Sequence, residues 1–377
     1  MLNRKKPAAF SANASLAVMG RRRFVQSLVG SSALFGLTGC GEAVLEEPPL
    51  PPVGTIGRAA LLAPLTGSQA SLGQIMQHAA SIGSGGLGNG PEIFVIDSGD
   101  TAASAAAAAQ LALVEGANMI TGPLLSSQAR SVANAVGSDI PVIALTNDSS
   151  IAGGNLFVFG ITPLQSAKSV MGFAASRGMR SIGVVVPSGR FGELSIAASR
   201  TVADGFGFTL VEPVISNDAT GVIDALRRNG NGTLPDAVYL PVVGGAFEQQ
   251  AQVLSDAGVQ ILGSDQWSAI DAPRINALQN AWFAAPDPVR FEAFAIALED
   301  QTGAEAGVVA GLTFDAVEMA RLLGRIGQQN RRGLLRAAGF DGIVGPYRFT
   351  ENGQCERGLA ILKVVAGATN LVGNTAV

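Results

Sequence analysis

The stretch Met119-Ile120-Thr121-Gly122-Pro123-Leu124-Leu125-Ser126-Ser127-Gln128 decides how this chain folds. An apolar run stops at Gly122-Pro123 and a helix-compatible run restarts at Ser126, which reads as a strand, a tight turn and a helix. The first backbone N–H groups of such a helix have no partner within it, and its dipole makes that end positive. A carboxylate or phosphate is a natural guest there. Ser126 or Ser127 capping the helix is the plainer alternative. The residues on either side have to decide between them.

Working outward, the same grammar repeats. Strands are expected at 58–63, 93–96, 118–121 and 141–145. Helices are expected after Ser71-Leu72-Gly73-Gln74, which has capping-box spacing, and over 101–115 and 126–136. After Leu156–Ile161 and Thr162-Pro163 the alternation starts afresh. Helices are expected over 165–177, 191–206, 220–229 and 246–257, and strands over 181–186, 208–213, 237–240, 260–262 and 282–285. Long helices over 290–302 and 308–327 follow, then a closing hairpin of 345–350 with 357–365 around Glu351-Asn352-Gly353. Alternating strands and helices require crossover connections, hence mainly parallel sheets covered on both faces. The expected fold class is α/β, with two doubly wound parallel-sheet lobes. Ligands in such sheets sit beyond the carboxyl ends of the strands. Those ends are 64–68, 122–127 and 146–150 in the first lobe, and 187–191, 241–245 and 263–267 in the second.

The N-terminal segment is set aside from the fold. Arg4, Lys5 and Lys6 open a basic region, and Arg21-Arg22-Arg23-Phe24-Val25-Gln26 looks like a twin-arginine export signal. An apolar stretch too short to span a bilayer follows. Leu37-Thr38-Gly39-Cys40 resembles a lipobox, which implies cleavage before Cys40 and its lipidation. Residues 1–39 are then a signal peptide and 40–54 a proline-rich tether containing Pro48-Pro49-Leu50-Pro51-Pro52. Removing 1–39 takes six basic and no acidic residues, leaving 19 basic against 29 acidic and a net charge of about −10. An acidic body argues against nucleic acid as a partner. With Cys40 lipidated, Cys355 has no disulfide partner, and the one histidine, His78, cannot build a metal cluster or a catalytic triad alone. No cofactor, metal site or enzyme activity is expected.

The order Ala63-Pro64-Leu65-Thr66-Gly67, then Ile120 through Ser127, then Thr146–Ser149, then Gly263-Ser264-Asp265 resembles the type I periplasmic binding proteins, the family of the leucine/isoleucine/valine receptors. The resemblance covers about 57–365. It implies two lobes, 55–161 plus 287–340 and 162–286 plus 341–377, crossed by three segments near Ile161, Pro286 and Asp341 and closing by a hinge on a ligand. It implies that Ser126, with Ser127 beside it, meets a ligand carboxylate. It implies too that Thr146, Asn147 and Asp148 hold both ends of an amino acid and that Phe191 is an aromatic wall. Asp265 falls where an acid pairs with the ammonium, with capping of the next turn as its plainer alternative. Trp267 either stacks on the ligand or packs at the lobe junction.

The chain departs from the family pattern at two places. Ile161-Thr162-Pro163-Leu164-Gln165 lacks the acid found after the first crossing, and Val242-Val243-Gly244-Gly245 replaces an aromatic residue. A buried α-amino group short of acceptors is costly, which argues against a standard branched-chain amino acid. Phe159-Gly160-Ile161-Thr162-Pro163 and the tether are also similar to the penicillin-binding-protein activator lipoproteins, which touch a peptidoglycan synthase. The expected partners are therefore a small ligand with an inner-membrane ABC permease, or such a synthase. Gly41 after Cys40 slightly favours the outer membrane for the anchored, periplasmic body.

Overall fold

A computed structural model describes residues 57–82 and 93–376. Cys40, the export signal and the tether lie outside them. The first run comprises β1 (Arg58–Ala63), α1 (Ala70–Ile82), β2 (Ile93–Asp97), α2 (Ala102–Val114), β3 (Ala117–Thr121), α3 (Ser126–Val136), β4 (Val142–Ala144) and β5 (Leu156–Val158). Its five strands form one sheet in the order β2-β1-β3-β4-β5, with every pair parallel.

The second run begins with α4 (Pro163–Ser176), β6 (Ser181–Val186), α5 (Arg190–Phe206), β7 (Thr209–Leu210) and β8 (Val214–Ile215). It continues with α6 (Val222–Asn229), β9 (Ala237–Tyr239), α7 (Phe247–Asp256), β10 (Gln260–Gly263) and β11 (Trp282–Ala285). The chain then makes α8 (Pro288–Thr302), α9 (Val308–Arg325) and α10 (Arg331–Leu334), of which α8 and α9 pack on α1 of the first run. It closes with β12 (Phe340–Asp341), β13 (Pro346–Phe349), β14 (Cys355–Arg357), β15 (Ala360–Val365) and β16 (Ala368–Asn374).

The second sheet runs β16-β15-β11-β10-β9-β6-β7, with β8 also paired to β6. It is parallel up to β11, then antiparallel through β15 and β16. The expected α/β class and mainly parallel sheets are present, with an antiparallel edge where the tail returns.

Three differences have local causes. Helix α1 starts at Ala70, so Ser71 lies inside it and does not cap it. The capping boxes fall at Thr101 with Ser104 and at Thr162 with Gln165. The expected strand over 208–213 splits into β7 and β8, because Pro213 offers no N–H to a ladder. The tail hairpin turns at 350–354, but its second arm is only β14. The third return, expected near Asp341, passes through the small antiparallel sheet β12-β13-β14 before the chain enters the second sheet at Ala360.

That small sheet is the pivot. Val158 at the end of β5 donates its N–H to Gly353 O (2.9 Å), and Phe157, Phe159, Phe340, Tyr347 and Phe349 pack edge to face, tilted or stacked. Arg357 is buried among them, its guanidinium 4.5 Å from the Phe159 ring centroid and 4.9 Å from that of Tyr347. It faces Asp315 of α9 at 3.6 Å and donates to Phe159 O at 3.2 Å. Asp315 accepts the N–H groups of Ile343 (2.8 Å) and Val344 (3.1 Å). One apolar cluster runs from Leu61 and Phe159 through Tyr347 to Tyr239 and Leu262, so both sheets share a core at this point.

Candidate ligand cleft

A cavity of about 420 Å³ lies between α9 and the small pivot sheet, and a larger cleft of about 720 Å³ opens at the strand-end loops between the two large sheets. The cleft is built at the carboxyl ends of the first sheet's strands. Gly122 carries φ +89° and sits so close under β1 that a Cβ would fall 2.3 Å from Leu62 O. Its N–H bonds Ile143 O at 2.8 Å, and Leu145 N–H bonds Pro123 O at 3.0 Å. This tight turn points the start of α3 into the cleft. The cap position is Leu125, whose side chain cannot accept a hydrogen bond, so neither Ser126 nor Ser127 caps the helix. Gln128 N–H bonds Leu125 O at 3.1 Å, and the N–H groups of Ser126 and Ser127 are left for something else.

Next to it, Thr146 accepts a bond from Asp148 N–H at 3.2 Å, which leaves its hydroxyl proton free to point elsewhere. A third loop is held from β2. The Asp97 carboxylate takes the N–H groups of Leu65 (2.9 Å), Thr66 (3.2 Å) and Gly99 (2.9 Å) and the Thr66 hydroxyl (2.6 Å). Slight burial opposes its ionisation, but these four bonds outweigh it and lower its pKa.

The second sheet contributes less than expected. Of its three strand-end loops only the one after β10 lines the cleft, through Asp265, Gln266, Ser268 and Ala269. Asp265 accepts a 2.5 Å bond from Ser166 of α4, and burial raises its pKa to about 6 despite that bond. The Tyr239 hydroxyl is fully buried without a hydrogen-bond partner, and Asp265 adds to the burial that raises its pKa.

Of the eight predicted residues, Ser126, Thr146, Asn147 and Asp265 meet around the cleft, and the other four do not line it. Ser127 points outward in the first turn of α3 and is exposed. Asp148 caps the short turn Ser149–Ile151 by accepting from Ser150 N–H (3.1 Å) and Oγ (2.6 Å). Phe191 lies in the first turn of α5, half-buried outside the cleft lining. Trp267 is only 1% exposed and belongs to the second core. Its indole N–H bonds Leu240 O at 3.1 Å and its ring covers Gly263, where a Cβ would fall 2.3 Å from it. Trp267 packs, but inside the second core and not at a lobe junction.

Other lining residues were not foreseen. Gln69 just before α1 and Leu72 and Ile75 in its first turns line the cleft, as do Glu305, Val308 and Leu312 from the α8–α9 turn and α9. The α1 residues follow the 64–68 loop and were within reach of the strand-end rule. The α8–α9 turn ends no strand, so that rule passes over it. The lining as a whole is apolar, and its two charged side chains, Asp265 and Glu305, are both acidic.

Across the mouth, Arg190 at the start of α5 reaches the opposite lobe. It donates to Ser150 Oγ at 3.1 Å and stands 3.8 Å from the Asp148 carboxylate. Arg190 is therefore a bridge between the two strand-end surfaces.

The chain matches the periplasmic binding protein family over residues 58–369. Among solved structures it is similar to a putative branched-chain amino acid ABC transporter from Rhodospirillum rubrum, at 23% identity and TM-score 0.71, over 84% of this chain and 100% of that one. It is similar to the C-domain of LpoA from Haemophilus influenzae, a regulator of PBP1A, at 20% identity and TM-score 0.65, over 84% and 100%. A third is the solute binding protein of an ABC transporter from Rhodopseudomonas palustris BisB5 in complex with 3,4-dihydroxybenzoic acid, at 20% identity and TM-score 0.58, over 85% and 97%. Likeness at these identities is likeness of fold. The comparison with curated proteins gave no match. Two strand-end surfaces facing across one cleft, with a family match that spans both sheets, make this chain a member of the periplasmic binding protein family.

Proposed function

We propose that this protein is an extracytoplasmic solute receptor, tethered through a lipid on Cys40, that takes a small amino-acid-like ligand between its lobes for ABC-type uptake or sensing. One observation supports the reading above the rest. The uncapped start of α3 on one lobe and the Asp265 carboxylate on the other converge on the same apolar cleft. A ligand carboxylate rests on the α3 amides beside Ser126 and Thr146, where the helix dipole favours it. Its ammonium faces Asp265 and Glu305. Glu305 thereby supplies the second acceptor that the sequence lacks after the first crossing. With no basic side chain in the lining, a doubly charged anion is disfavoured, and the apolar body of the ligand lies against Leu72, Ile75 and Leu312. A ligand that touches both lobes binds the closed form better than the open one, and that difference drives closure.

A thermal-shift screen of amino acids, short peptides, muropeptides and aryl carboxylates on the full chain tests this. A true ligand at about 100 times its Kd adds about 2.7 kcal/mol of stability. The shift should shrink in Ser126→Ala and in Asp265→Asn. If no compound in the screen moves the melting temperature, the second reading takes over: a module that touches a peptidoglycan synthase through an outer face, with an empty cleft. Pull-down of the synthase by the full chain then replaces ligand binding as the measurement.

A further inference from the structure

The cavity against the pivot shares no lining residue with the ligand cleft. It measures about 420 Å³, within the range of small-molecule sites. Helix α9 forms one wall and the stretch 336–343 the other. Three acids and three arginines line it, and their pairing is uneven. Asp315 is engaged by Arg357 and by two backbone N–H groups. Glu318 is paired with Arg321 at 2.5 Å, and Asp341 with Arg290 of α8. Every acid is therefore answered, while Arg325 and Arg336 have no carboxylate partner among the described residues.

Each of these two arginines has an ordinary explanation. Arg325 closes the last turn of α9, where a cation suits the helix dipole. Arg336 lies over the Phe340 ring, 5.5 Å from its centroid. Neither explanation covers the Arg336 Nε, which is buried without any hydrogen-bond acceptor. A buried guanidinium N–H left unmade is costly and calls for a partner. The remaining walls are apolar, with Phe314, Ile343 and Phe340, and Leu322 stands 42% exposed at the rim.

We propose that this cavity is a second binding site, for a small molecule that carries an oxyanion on an apolar body. The oxyanion lies between Arg325 and Arg336 and meets the terminal N–H groups of both. The Arg336 side chain turns off Phe340 to bring its Nε, which has no accessible surface where it stands, into the same pairing. A guanidinium pairs best with a carboxylate or phosphate through two parallel bonds. The apolar body covers Leu322 and the Phe340 edge. Because one wall is α9 and the other is the strand that leads to the pivot, the bound molecule joins the first lobe to the hinge.

Titration calorimetry of the full chain with phenyl phosphate, and with inorganic phosphate for comparison, tests the assignment. Saturable one-to-one binding of phenyl phosphate is expected, with inorganic phosphate weaker because it lacks the apolar body. Arg336→Met and Arg325→Met should each weaken phenyl phosphate at least about ten-fold. Asp265→Asn, in the other cavity, should leave it in place. Arg325 is exposed at a helix end, so its variant keeps the fold and serves if Arg336→Met unfolds, as judged by circular dichroism. No saturable binding, binding that survives both arginine changes, or binding lost in Asp265→Asn overturns the proposal. An inorganic phosphate affinity equal to that of phenyl phosphate also overturns it, because the apolar wall would then contribute nothing.

Discussion

Asp265 carries the charge that the second lobe turns toward the cleft, and burial holds its pKa near 6. The sign of its effect depends on what is bound. Its folded value lies above the ordinary 3.8, so in the ligand-free chain the neutral form is favoured. That stabilisation is complete below about pH 3.8 and is lost as pH rises through about 6. An ammonium ligand reverses the preference, because it needs the carboxylate. Its affinity should be flat above about pH 6 and fall by up to about ten-fold per pH unit below it. Asp265→Asn should remove that pH dependence along with most of the affinity, which calorimetry at several pH values would read. An affinity that stays pH-independent in the unaltered chain would remove Asp265 from the site. Trp267 makes the opposite kind of prediction. Trp267→Ala leaves a cavity in the second core and an unbonded Leu240 carbonyl. It should destabilise the fold by about 3–5 kcal/mol in chemical denaturation.

The β3–α3 turn is the element that brings backbone donors to the cleft. Gly122 holds it through a left-handed φ and a close approach to Leu62 O that a Cβ would block. Gly122→Ala should cost more than about 1 kcal/mol, since native φ is incompatible with a side chain. It should also weaken ligand binding more than Ser126→Ala does, because it displaces the amides and Ser126→Ala removes only a hydroxyl. Binding of Gly122→Ala equal to that of the unaltered chain would mean that the helix start does not hold the ligand. The α4 entrance shows why the family's acid can be absent. Thr162 and Gln165 form a capping box there, and Gln165 donates onward to Cys355 O, so the stretch is occupied by a helix cap joined to β14.

Closure is a property of the whole molecule and rests on contacts of very different weight. Arg190 bridges the mouth to Asp148 from a side chain 60% exposed, and exposed pairs contribute at most about 1 kcal/mol. Arg190→Ala should therefore weaken ligand binding by no more than about five-fold. Raising salt on the unaltered protein should reproduce part of that loss, because salt screens such pairs. The pivot is another matter. Arg357→Ala would strip Asp315 of its buried cation and open the aromatic cluster around Phe159 and Tyr347, at a cost of about 3–5 kcal/mol. Denaturant unfolding with a fall larger than for Arg190→Ala would confirm the order. Small-angle scattering should show a ligand-dependent contraction in the unaltered chain and in Arg190→Ala alike.

Much was legible in the chain order alone. Alternating apolar strands and helices determined the α/β class, because a strand followed by a helix returns parallel to itself whatever the side chains are. The same grammar placed Ser126, Thr146, Asn147 and Asp265 at strand ends, where a doubly wound sheet exposes its loops. Only tertiary structure decided which strand-end residues face inward. Ser127, Asp148, Phe191 and Trp267 sit within two residues of a lining residue or on a strand-end loop, yet turn away from the cleft. Their direction depends on local backbone angles and on packing against residues far along the chain, such as Leu240 behind Trp267. Glu305 shows the reverse. Nothing local marks it, and it reaches the cleft because the chain crosses back to the first lobe after β11 and lays α8 and α9 against α1. Long-range packing sets such placements, since a side chain's neighbours are chosen by the fold and not by its place in the sequence.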